Sequence, residues 1–141
     1  VNIDSLLSDL RRDEGWNPTV YRDTQAFFTI GYGFLVDPKK GVGLPKFLGE
    51  LWLEHAALER IQLFRKLWPA YDAQPADVQR ALGNMCYQLG ADGLMQFSKM
   101  LAALSVGDRK RAALEALDSL WATQTPVRAR RVVSLIRGHH D

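Results

Sequence analysis

The stretch DEGWNPTVYRDTQAFFTIGYGF, Asp13 to Phe34, changes its periodicity along its length. Upstream of it, Ile3, Leu6, Leu7 and Leu10 stand at i, i+3, i+4 and i+7. That spacing makes one apolar helix face, so residues 3–13 are expected to form an amphipathic helix. Asn2 or Asp4 suits its start and Gly15 its stop. Asn17-Pro18 marks a turn. From Thr19 to Leu35 the chain is rich in Val, Tyr, Phe, Thr and Ile. Branched and aromatic side chains pack well on a pleated surface, so this is strand chemistry, with a turn expected near residues 23–26. Gly31 and Gly33 alternate with Ile30, Tyr32 and Phe34. Glycines inside a strand point to a bulge, or to close approach of a neighbour or ligand to the backbone.

Three polar groups sit across this change of pattern. Glu14 follows the last apolar turn of the helix, Asp23 lies in or beside the hairpin turn, and Thr29 is on the returning strand. Cleaving a glycosidic bond takes two carboxyl groups with different jobs: one donates a proton to the leaving oxygen, the other is ionised and activates water. Different surroundings divide such roles, and here a Glu next to Trp16 faces an Asp on an open hairpin. A hydroxyl beside the Asp can orient the water. Spacing alone leaves a second reading open. All three are then ordinary surface groups, with Asp23 hydrogen bonding its own turn backbone.

Farther along, DPKKGVG reads as a loop, and residues 45–67 read as a long helix. Leu48, Leu51, Trp52, His55, Leu58 and Leu63 suit one broad face of it, and Pro69 ends it. Pro75 suits the first position of an almost all-round apolar helix over 76–89. Gly90 and Gly93 interrupt, and shorter helices are expected near 94–104, 108–118 and 127–137, with Pro126 opening the last. The fold class is therefore α+β: a small N-terminal β-containing lobe and a larger all-helical lobe, joined by a long helix. The cleft between such lobes is the expected place for a site.

Composition fits an ordinary globular domain. The chain has 141 residues, 47% of them hydrophobic and 24% charged. That length favours one domain and permits a core without staples. Cys86, the single cysteine, lies in an apolar run and is read as a small core residue. No apolar run approaches the roughly 20 residues needed to span a bilayer, so no stable membrane insertion is expected. No secretory signal is visible, and a start at Val1 suits a processed product or a piece of a longer chain. Net charge is +2, but residues 99–141 hold 8 basic and 4 acidic side chains. RARR, at 128–131, suggests a helix that binds phosphates; the near-neutral remainder argues against nucleic acid as partner. Trp52, Trp68 and Trp121 are expected in the core and His55 to be packed. Tyr21, Phe27 and Phe28 suit sheet packing, with Tyr32 the best candidate to stack on a sugar. His139-His140 has no metal-ligand spacing around it.

The segments DEG, YRDT and FTIGYG, then YQLGADGLMQFSKML, then WATQTPVRARRVVSLIRG, occur in an order that resembles the phage-type lysozymes, glycoside hydrolase family 24. Together they cover residues 3–35 and 75–138. The resemblance implies a single lysozyme-like catalytic domain over 1–141, with a small lobe at about 15–44 and a helical lobe from 1–14 and 45–141. It implies an endolysin or muramidase that cuts the β-1,4 bond between N-acetylmuramic acid and N-acetylglucosamine in peptidoglycan. Glu14 matches the general acid, and Asp23 with Thr29 the water-positioning pair. Gln88 and Gln124 match cleft positions, and Tyr32 joins them as a substrate-binding candidate. Arg128 is expected to pair with Glu14, and Asp13 with Arg131 in support. No metal or organic cofactor is implied, and the protein is expected to be a monomer. Its expected location is the host cytoplasm before holin-dependent release, or a virion. The alternative on the same fold is a lytic transglycosylase or a wall-binding module without hydrolysis.

Two departures stand out. The family reads GxGH after the Thr, and Phe34 replaces that His; His55 falls near its usual Asp partner, so this ion pair is lost. The segment between Phe34 and the long helix is shorter by roughly a strand and its loops, which implies a smaller upper cleft wall. Glu115 replaces an Asn that helps bind sugar, so that role is not transferred.

Overall fold

The computed structural model describes residues 2–36 and 43–138. Most of the DPKKGVG segment and His139-His140 lie outside the described residues. The chain divides into two compact units, residues 1–51 and 52–141. The first unit takes in helix residues 3–14 together with the sheet.

In the first unit, helix α1 spans Ile3–Glu14, capped by Asn2, whose side chain accepts from the Ser5 amide at 3.1 Å. That bond satisfies one of the donors a helix start leaves unpaired. Gly15, with φ +71°, turns the chain out of the helix. Strands β1 (Asn17–Arg22), β2 (Phe28–Gly31) and β3 (Phe34–Leu35) form an antiparallel sheet in sequence order. Tyr21 faces Thr29, and Thr29 faces Leu35, with an irregularity in β1 between Asn17 and Tyr21. Gly31 and Gly33 do not sit inside one strand, as their alternation suggested. Gly31 ends β2 with φ +68°, and Gly33 belongs to the turn into β3 with φ +76°. Positive φ is costly for residues with a Cβ, so the glycines permit a reversal where alternation alone suggested continuation.

Helix α2 spans Lys46–Leu67, and a 3-10 turn at Pro69–Ala73 follows. The second unit continues with α3 (Ala76–Met95), α4 (Ser98–Ser105), α5 (Arg109–Leu117), α6 (Leu120–Gln124) and α7 (Pro126–Arg137). Gly90 breaks α3 with φ +76° and ψ 167°, as the sequence indicated. Pro75 precedes α3 as its cap residue rather than opening it. Helix α6 is five residues long, too short for periodicity to show.

The core of this unit is built around α3. Val78, Ala81, Leu82, Met85 and Cys86 are all fully buried. They meet Met100 and Leu104 of α4, small Ala112, Ala113 and Ala116 of α5, and Val132, Val133 and Ile136 of α7. Arg109 ties the end of α7 down. Its guanidinium donates to the carbonyls of Ile136 at 2.8 Å and Leu135 at 2.9 Å, and pairs with Asp77 of α3. Carbonyls in the last turn of a helix lack intrahelical partners; that of Leu135 also accepts from the Gly138 amide at 3.2 Å.

The face that α2 gives this core differs from the expected one. Phe64 is buried, and Ala57, Ile61 and Trp68 are half-buried. Leu58 and Leu63 are exposed, and Trp52 is 62% exposed rather than in the core. Apolar residues occur all around α2, so periodicity supports several faces. Spacing at 57, 61, 64 and 68 also follows the helix repeat, and it brings the Phe64 ring to 5.8 Å from that of Trp68 and 6.0 Å from that of Tyr71. His55 is exposed instead of packed, with Nε2 3.3 Å from Glu59 one turn on.

Cys86 is a core residue, as expected, and its Sγ donates to the Arg60 carbonyl at 3.3 Å. Burial pushes its thiol up from the ordinary value, which leaves less thiolate at neutral pH. Ellman's reagent is therefore expected to label the native protein far more slowly than the urea-unfolded chain. Equal labelling rates would contradict this burial.

Candidate active site

Glu14 is the last residue of α1. The Gly15 amide donates to the Arg11 carbonyl at 3.0 Å, which closes the helix before the chain enters β1. The Glu14 side chain reaches across to the turn between β2 and β3. A Cβ on Gly33 would lie 2.8 Å from its Oε2. The same turn carries Tyr32, whose ring stands 5.1 Å from that of Trp16, tilted by 53°. Tyr32 is thus half-buried against an aromatic neighbour while part of its surface stays open. Asp13 accepts from the Arg12 guanidinium at 2.9 Å on the exposed side of the helix.

Asp23 performs the local task that Asp in turns commonly performs. Its Oδ1 accepts from the amides of Gln25 and Phe27, each at 2.9 Å. Its own amide donates to the Phe27 carbonyl at 2.8 Å. Within residues 2–36 these bonds leave Oδ2 for a partner outside the turn. The carboxylate is therefore held in one orientation by the backbone, and fixed geometry is what a group that aims a water needs. Thr29 is the one buried polar residue among those described, and its Oγ1 donates to the Phe27 carbonyl at 3.1 Å. Phe27 links the two: its amide holds Asp23 and its carbonyl holds Thr29. With its proton committed there, the Thr29 hydroxyl can still accept a hydrogen bond. Phe28 lies under the Arg22 guanidinium at 5.0 Å.

In the second unit, Gln88 accepts from the Trp121 indole N–H at 2.9 Å through Oε1. That bond fixes the amide and turns its NH₂ group elsewhere. Trp121 is buried and meets Phe97 edge-on at 5.9 Å. These two rings and Gln124 line an open pocket of about 480 Å³, together with Lys99, Glu115 and Asp118. Glu115 is held by Arg111 at 2.8 Å. Arg128 donates through Nε to the Asn84 side chain at 2.9 Å and through Nη2 to the Asn84 carbonyl at 3.2 Å. With Arg80, Arg131 and Asn84 it lines a second opening of about 390 Å³. The roles of Asn84 and Arg80 carried no signal in the sequence, because nothing in their spacing distinguishes them from surface residues of α3. The tie between Trp121 and Gln88 had none either, since the two are 33 positions apart. Among the described residues, no three of His, Cys, Asp and Glu group as metal ligands. No described helix is long and apolar enough to cross a membrane.

A small antiparallel sheet after an N-terminal helix, followed by an all-helical unit, makes this a lysozyme-like α+β protein. The family model described as phage lysozyme matches residues 11–137. The chain belongs to the phage lysozyme family and is a glycoside hydrolase. It is similar to the pre-baseplate central spike protein Gp5 of Enterobacteria phage T4, at 34% identity over 94% of this chain and 27% of that protein. It is also similar to two Dictyostelium discoideum proteins. Probable T4-type lysozyme 2 is 30% identical, over 94% of both chains. Probable T4-type lysozyme 1 is 24% identical, over 95% of this chain and 94% of its own length. The alignments run to between 157 and 164 positions, more than the 141 residues here, so these relatives carry residues that this chain lacks.

Proposed function

We propose that this protein hydrolyses the β-1,4 bond between N-acetylmuramic acid and N-acetylglucosamine in peptidoglycan, acting as one catalytic domain. The observation that carries the reading is the family match over residues 11–137, which contains Glu14, Asp23 and Thr29. Glu14 gives its proton to the leaving oxygen of the glucosamine as the bond to C1 of the muramic acid breaks. A water held by Asp23 and Thr29 attacks that C1 and passes a proton to Asp23. Direct attack by water inverts the configuration at C1. The backbone bonds that fix Asp23 Oδ1 and the Phe27 bridge to Thr29 support this role, because they preset the pair at no cost during reaction. Gln88, Gln124 and Tyr32 contact the sugar. Asp13, Arg128 and Arg131 are assigned supporting roles. The enzyme reaches the wall either by holin-dependent release from the host cytoplasm to the periplasm or carried on a virion.

Mass spectrometry of digested wall tests the reaction. Hydrolysis is expected to release fragments with reducing muramic acid ends. Anhydro ends would indicate a lytic transglycosylase instead, and intact wall with tight binding would indicate a binding module.

A further inference from the structure

The Glu14 carboxylate rests against a backbone that has no side chain. A Cβ on Gly33 would stand 2.8 Å from Glu14 Oε2 and 3.5 Å from its Cδ. Non-bonded carbon and oxygen do not settle at 2.8 Å, so any side chain at position 33 moves the carboxylate. We propose that Gly33 is a positioning residue for the acid: its bare backbone sets where the Glu14 carboxylate rests. The proposal rests on the assignment of Glu14 as the proton donor.

The surroundings make the carboxylate the group that yields. The turn is bounded by rings on both sides. A Cβ on Gly31 would meet the Phe34 ring at 3.1 Å and the Trp16 ring at 3.7 Å. Trp16 also packs on Tyr32. At Gly33 the only atoms in the way among the described residues belong to the end of a flexible side chain. A methyl there is accommodated by rotation of Glu14, which the fold tolerates and the reaction does not. A misplacement of about 1 Å in a reacting group costs on the order of 100-fold in rate.

Position 33 makes a second demand, its φ of +76°, which strains any residue with a Cβ. Gly107 separates the two demands. Its φ is +75°, and no described residue lies within 4 Å of where its Cβ would be. Gly107→Ala therefore carries the backbone strain alone.

The experiment measures kcat and KM on soluble glycan fragments, and Tm, for Gly33→Ala, Gly107→Ala and the parent. Both variants are expected to lose a similar few degrees of Tm. Gly33→Ala is expected to lose roughly 100-fold in kcat with KM within about twofold, while Gly107→Ala keeps the parental kcat. Gly33→Asn covers the case in which the alanine variant fails to fold. Asn tolerates the left-handed region and carries the same Cβ, so the same kcat loss is expected with a smaller Tm change. A folded Gly33→Asn with parental kcat overturns the proposal, and so does an equal kcat loss in Gly107→Ala. Full activity in Glu14→Gln would remove the acid assignment and Gly33 with it. An inactive Glu14→Gln beside fully active Gly33 variants removes the role of Gly33 alone.

Discussion

Glu14→Gln is expected to lower the rate of wall hydrolysis by about 10²–10⁴-fold, the range over which positioned acids and bases act. Gln is nearly the same size as Glu and keeps a carbonyl oxygen, so the packing against the β2–β3 turn is retained. What it lacks is the transferable proton. The leaving glucosamine oxygen would then depart as an alkoxide or take its proton from water, both slower routes. The measurement is clearance of outer-membrane-permeabilised Gram-negative cells, with Tm recorded alongside. Because Glu14 ends α1 beside Gly15, in a part of the chain with no fully buried side chain, Tm is expected to change little. Parental clearance by the variant would show that Glu14 is not the acid.

The largest stability effect is expected at Phe64. Its side chain is fully buried, and its ring contacts Trp68 and Tyr71. Phe64→Ala removes most of an aromatic ring and leaves a cavity that neighbouring helices fill only partly. Such changes cost about 3–5 kcal/mol, which for a domain of this size lowers Tm by roughly 10 °C. Urea unfolding followed by far-UV circular dichroism checks it through the shift in midpoint. Phe64→Leu keeps more of the volume and is expected to lose less than half as much. By contrast Leu58→Ala, six residues earlier on the exposed side of α2, should fall within about 0.5 kcal/mol of the parent, as surface substitutions do. A reversed order at 64 and 58 would restore the face of α2 that periodicity first suggested.

That reversal of faces shows where sequence reasoning runs out. Apolar spacing defines a helix well, but α2 is apolar on more than one side, and the choice among faces is made by shape. Phe64 fits against Trp68 and against Tyr71 of the following 3-10 turn, whereas Leu58 and Leu63 are exposed. Helix α6 escaped notice for a different reason. Five residues span little more than one turn, so no repeat exists to be read. His55 looked packed because its neighbours on one side are apolar; it turns instead to Glu59, a partner four residues away.

The candidate site divides in the same way. The order of the DEG, YRDT, FTIGYG and QTPVRARR segments was enough to place the chain in its family and to select Glu14, Asp23 and Thr29 as candidates. Spacing could not decide between a turn-forming and a reactive Asp23. The fold gives Asp23 the first of these tasks through Oδ1. The alternation of Gly31 and Gly33 hinted that something approaches the backbone closely. Only the fold identifies the approaching atom as Glu14 Oε2.

By itself, then, the sequence determined the α+β class, the extent of α1, the first hairpin, the break at Gly90, the burial of Cys86 and the family. These are local or compositional properties: apolar periodicity, turn residues and the order of short motifs. The tertiary structure decided which face of α2 meets the core, the bond between Trp121 and Gln88, the hold of Asn84 on Arg128, and the seat of the Glu14 carboxylate. Each of these joins side chains that lie far apart in the chain or compete with equally apolar neighbours. Their partners are chosen by distance and shape in the folded molecule, and linear spacing contains neither.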